Sequence, residues 1–84
     1  MRYRVIIPKS VRKELDRLPD EVVRRILARL AQLETDPRPA DMKKLKGREA
    51  WRIRVGDYRV IYEIQDRQVQ ILVITIGHRR EIYR

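Results

Sequence analysis

The residues of this chain best equipped for chemistry are arginines. Arg52, Arg54 and Arg59 flank a Gly56-Asp57 pair. Lys43, Lys44, Lys46 and Arg48 run just ahead of them, and His78-Arg79-Arg80, followed by Tyr83, closes the sequence. A guanidinium is planar, permanently charged, and forks its donors to meet phosphate or carboxylate oxygens two at a time. Such a set is suited to holding and stabilising an anion. Other chemistries are poorly supplied. With no cysteine in the sequence there is no thiolate metal site, disulfide or Cys nucleophile, and one histidine, His78, cannot build a His-rich metal site. No pair of carboxylates or of histidines offers itself for acid–base work, and no metal or other cofactor is expected.

Composition points the same way. The 84 residues hold 21 Lys and Arg against 12 Asp and Glu, a formal charge of +9. So large a surplus in so small a chain suggests a polyanionic partner: nucleic acid, an anionic membrane surface or an acidic protein. The length allows one domain, residues 1–84, with one modest core. No apolar run approaches the roughly 20 residues of a membrane span. Met1 to Pro8 reads as a strand rather than a signal peptide, because Arg2 and Arg4 interrupt it. The cysteine-free composition fits a reducing, cytoplasmic setting.

The elements that must position the arginines follow from spacing. Arg2 to Ile7 predicts a strand stopped by Pro8. Ser10 is a candidate cap for a short helix with Val11, Leu15 and Leu18 on one face. Pro19, Asp20 and Glu21 open a second helix, whose apolar stripe is Val22, Val23, Ile26, Leu27, Leu30 and Leu33, ended by Asp36-Pro37-Arg38-Pro39. A short link makes the two an antiparallel hairpin. After the basic loop come three strands, Trp51–Val55, Tyr58–Ile64 and Gln68–Ile76, with turns at Gly56-Asp57 and Asp66-Arg67. The expected fold is α+β, in the order β-α-α-β-β-β, an antiparallel sheet packed on a helical hairpin.

If Gly56-Asp57 is a two-residue turn, Val55 faces Tyr58, Arg54 faces Arg59, Ile53 faces Val60 and Trp51 faces Tyr62. Paired residues share a face and faces alternate along each strand. The core face then reads Trp51, Ile53, Val55, Tyr58, Val60, Tyr62 and Ile64, joined by Val69, Ile71 and Val73. The opposite face gathers Arg52, Arg54 and Arg59 beside Ile61, Leu72 and Ile74. A cross-strand Arg54–Arg59 pair is locally unfavourable. It makes sense if the face exists to hold an anion, although basic residues on a solvated sheet face also serve plain solubility.

On these residues the sequence resembles the RelE/ParE superfamily of toxins from toxin–antitoxin pairs. The specific stretches are Lys44-Leu45-Lys46-Gly47, Trp51–Val55, Gly56–Tyr62 and Ile76–Tyr83, so that the resemblance spans nearly the whole chain. The RelE branch implies a ribosome-dependent endoribonuclease, an mRNA interferase that inhibits translation. In it the 2′-hydroxyl of the message attacks the adjacent phosphate, leaving a 2′,3′-cyclic phosphate and a 5′-hydroxyl. Matched by motif, its catalytic positions fall on Arg54, Arg59, Arg79 and Tyr83, and its first basic strand position on Arg52. Both first-strand positions are arginine here where the branch often has lysine, and the tail is shorter than in some members.

That reaction needs a base, charge stabilisation at the phosphorane and a proton for the leaving oxygen. Tyr83 is a candidate base if neighbouring arginines lower its pKa from about 10. Arg54, Arg59 and Arg79 are the phosphate clamp, and Arg79 is a better stabiliser than acid because a guanidinium rarely gives up its proton. Lys43, Lys44, Lys46, Arg48, Arg52, His78 and Arg80 are the RNA-binding candidates. Trp51, Tyr58 and Tyr62 are assigned to the core. The resemblance further implies a RelB-like antitoxin, acidic or amphipathic, which covers the basic face or displaces the tail, with DNA contacted only through the antitoxin complex and no membrane partner. Two other readings stand: a ParE-like gyrase inhibitor on the same fold, and a non-catalytic RNA-binding module.

Overall fold

A computed structural model describes residues 2–78. A short strand, β1 (Arg4–Ile6), is followed by α1 (Lys9–Asp16) and α2 (Asp20–Leu33), then β2 (Lys43–Lys44), β3 (Trp51–Val55), β4 (Tyr58–Gln65) and β5 (Gln70–His78). The strands form one sheet in the order β1-β5-β4-β3-β2. β1 runs parallel to β5 and every other pairing is antiparallel. The α+β architecture expected from the sequence is the one observed, with two additions: β2 extends the sheet at one edge, and β1 makes it mixed.

The helices start where their first-turn donors find acceptors. The Pro8 carbonyl accepts from the amides of Val11 and Arg12, so α1 begins one residue ahead of Ser10, which makes no capping bond. Pro19 caps α2, and Asp20 and Glu21 sit in its first turn, at the positive end of the helix dipole. Val11 and Leu15 from α1 meet Ile26, Leu30 and Leu33 from α2 over the sheet. Leu27 falls off this stripe and is exposed.

The β3–β4 register is the expected one, pair by pair from Trp51–Tyr62 to Val55–Tyr58. Gly56 adopts φ 59, a left-handed conformation that a Cβ would strain, and this lets a two-residue loop close the hairpin. The next turn differs from expectation. It takes four residues, 66–69, because Val69 enters the left-handed region at φ 53, and β5 therefore starts at Gln70. Val69 belongs to this turn rather than to the core face. Lengthening the loop by two keeps the alternation in phase, so Ile71 and Val73 still point into the core.

A bulge then interrupts β5. Ile61 pairs with Thr75 and Tyr62 with Val73, which leaves Ile74 as the extra residue. The bulge re-phases the strand, and Ile76, an odd number of positions from Val73, also joins the core.

Candidate nucleic-acid interface

The helices pack on one face of the sheet, and Lys43, Arg52, Arg54 and Arg59 lie in two rows on the other. In the row nearest the β3–β4 turn, Arg54 lies across from Arg59, and Arg59 across from Gly77, which brings no side chain. In the next row Lys43, Arg52, Ile61 and Thr75 follow one another across four strands. Strand parity places Glu63 on this face as well, and it takes a 3.6 Å ion pair from Arg48. The arginine-rich part of this face is therefore the half near the turn, bordered by Glu63, while the exposed Arg4, in register with Gln70, stands beyond that border on the same face. Glu63 escaped the reading of the sequence, although parity alone assigns it to this side.

The two facing arginines differ. Arg54 is exposed and makes no salt bridge among the described residues, whereas Arg59 is only 6% exposed. Beside it Ile61 is buried too, yet stands outside the main core cluster. A guanidinium keeps its charge when buried. The site is thus an enclosed cation in the sheet beside an exposed one, next to the buried Ile61. Arg52 is half-buried in the adjoining row.

The remaining candidates divide. Lys43, Lys46 and Arg48 are exposed along the approach to the face. Lys44 pairs with Trp51 in register, on the helix side, and its ammonium sits 2.8 Å from Glu49. His78 shares a rung with Tyr58 and meets its ring edge-on at a centroid distance of 5.6 Å, so it too stands on the helix side of the sheet. Arg79, Arg80 and Tyr83 lie outside the described residues.

The loop that delivers the lysines is anchored from behind. The buried Tyr62 hydroxyl donates to the Pro37 carbonyl at 3.1 Å. Arg29 donates to both oxygens of Asp41, at 2.9 and 3.1 Å, and Arg38 donates to Asp66 at 3.0 Å. Tyr3 donates to the other Asp66 oxygen at 2.6 Å. Accepting these bonds holds the carboxyls of Asp41 and Asp66 below their usual range. The bond to Asp66 pushes the Tyr3 phenol up, and burial pushes Tyr62 up to about 12. Neither tyrosine is placed to act as a base near neutral pH. Among the described residues no group of three or more His, Asp or Glu side chains gathers as a metal site would require, and no helix is long and apolar enough to cross a membrane.

Comparison with known proteins adds an independent line. The family model for the ParE toxin of the type II toxin–antitoxin system, parDE, matches residues 5–83. RelE1 of Methanocaldococcus jannaschii is 33% identical over all of this chain and 98% of its own. The archaeal RelE–RelB complex from Pyrococcus horikoshii OT3 superposes with a TM-score of 0.83 at 39% identity, over 94% of this chain and 97% of that one. An arginine-to-alanine double mutant of E. coli toxin RelE in the free state gives a TM-score of 0.83 at 25% identity, over 98% and 88% of the two chains.

Proposed function

The chain belongs to the RelE/ParE toxin superfamily of type II toxin–antitoxin systems, and on that premise we propose that it is a ribosome-dependent endoribonuclease that cuts messenger RNA without a metal. It is the toxin of a RelBE-type pair. The observation that carries the nuclease reading is the exposed Arg54 directly across from the buried Arg59 on the sheet face the helices leave open. Like charges opposed on a sheet cost stability, and an anion between them removes that cost.

In the proposed reaction the 2′-hydroxyl oxygen bonds to the adjacent phosphorus and the bond from phosphorus to the 5′ oxygen breaks. The products are a 2′,3′-cyclic phosphate and a 5′-hydroxyl. One proton leaves the 2′-hydroxyl for a base, to which we assign Tyr83; water gives one to the departing 5′ oxygen and takes back the one held by Tyr83, so that protons balance. Arg54, Arg59 and Arg79 hold the charge that grows on the phosphorane. Arg52, Lys43, Lys46 and Arg48 guide the strand, and Lys44 and Arg80 contribute charge at its margin. This constellation has weak intrinsic acid–base power, so much of the rate must come from alignment, which is worth roughly 7–11 kcal/mol when geometry is ideal. The ribosome supplies that alignment. The partner that silences the site is a RelB-like antitoxin, as the RelE–RelB complexes of similar fold suggest.

The match to a ParE family model favours a second reading, inhibition of gyrase by a non-nuclease. Incubating the purified chain with translating ribosomes and, separately, with gyrase and DNA separates the two. New 3′ ends bearing cyclic phosphate support the first reading. Intact message together with cleaved DNA trapped on gyrase supports the second.

A further inference from the structure

We propose that Glu14, on α1, is a positioning residue for the phosphate-holding site; this rests on the ribonuclease reading above. β1 covers β5 only from Gln70 to Leu72, whereas β4 pairs with β5 as far as His78. Beyond Leu72 the outer edge of β5 meets no other strand among the described residues. Glu14 reaches that edge with both carboxylate oxygens: Oε1 accepts from the Ile76 amide at 3.0 Å and Oε2 from the Thr75 hydroxyl at 3.0 Å.

The place of this contact gives it consequence. It falls just after the bulge at Ile74, where β4 guides β5 least, and just before Gly77, which lies across from Arg59. In sequence Arg79 follows three residues after Ile76. Glu14 itself sits on a rigid base, because Val11 and Leu15 on either side of it are buried in the core. The carboxylate therefore transmits the position of α1 to the strand segment that borders Arg59 and leads to Arg79. Charge-assisted bonds of this kind are short and directional. A strand shifted by about 1 Å would misalign reacting groups badly enough to slow chemistry as much as 100-fold.

A plain edge-protecting role predicts changes in stability or association alone. A positioning role predicts a loss in kcat with KM preserved. The test uses the full-length chain on ribosome-bound message, with kcat, KM, Tm and amide exchange at Ile76 measured for Glu14→Ala, Glu14→Gln and Thr75→Val. Glu14→Ala is expected to lower kcat about 10- to 100-fold, with KM within about 2-fold and faster Ile76 exchange. Glu14→Gln, whose amide oxygen can still accept from Ile76, is expected to recover most of the rate, and Thr75→Val to lose a few-fold. A folded Glu14→Ala with the wild-type kcat, while Arg54→Ala is inactive, overturns the positioning role and leaves the ribonuclease reading intact. If Glu14→Ala does not fold, unchanged kcat in both Glu14→Gln and Thr75→Val overturns it. A wild-type chain that never cuts the message overturns both readings at once.

Discussion

Arg54 and Arg59 occupy one rung of the sheet and two different environments. Arg54 extends into solvent, and its loss should leave the fold alone; Arg59 is enclosed. A charge-assisted bond to phosphate contributes about 1.5–3 kcal/mol, equivalent to about 10- to 150-fold in rate. Arg54→Ala is therefore expected to cut kcat/KM by that factor while Tm holds or rises slightly, because the like-charge pair is relieved. Arg59→Ala is expected to lose activity and also about 1–3 kcal/mol of stability, so that thermal melts and cleavage kinetics run side by side tell the two roles apart. The facing of these residues is legible in the sequence, because two-residue turns fix parity. The burial of Arg59 is not, because it depends on what crowds the open face, which no periodicity encodes. His78 also looks like part of the basic tail in the linear sequence, yet its pairing with Tyr58 turns it toward the helices.

At the scale of elements, the β3–β4 hairpin sets the facing of Arg54 and Arg59 through one residue. Gly56→Ala would force an L side chain to φ 59, at a cost of about 1–2 kcal/mol. Equilibrium unfolding should show that loss, with a parallel fall in activity because the same turn aligns Arg54 with Arg59. The anchored loop makes predictions in pH. Asp41 and Asp66 have folded pKa values below the ordinary 3.8, so their contribution is present above that value and lost as pH falls through the lowered one. Tyr62 is raised from 10.0 to about 12, so its contribution is present below pH 10 and lost as pH climbs toward 12. Denaturant midpoints across pH should fall at both extremes, and Tyr62→Phe should blunt the alkaline fall while costing about 0.5–1.5 kcal/mol for the lost bond to Pro37. The helices and long strands are legible from their periods. The second β-turn is not, because a β-branched residue such as Val69 rarely enters the left-handed region. The bulge at Ile74 is hidden for a related reason: an extra residue inside an apolar run leaves no gap in the pattern.

The described residues have a radius of gyration of 12.0 Å. On that small body a charge of +9 acts over the entire surface. RNA affinity is expected to fall linearly in log K against log salt, and an antitoxin that silences the toxin is expected to be acidic where it meets the open face. The surplus of charge is legible from composition, but it points only to a polyanionic partner of some kind. What the proposed nuclease does to that partner is assigned to one face of the sheet and the tail that follows it. The most direct test maps cut sites on a translated message, with and without ribosomes, for the wild-type chain and Arg54→Ala. Discrete cuts by the wild type are expected only when ribosomes hold the message, with a loss of about 10-fold or more in Arg54→Ala. Cuts that persist at full rate in Arg54→Ala, or a message left whole on the ribosome by the wild type, would contradict the proposed function.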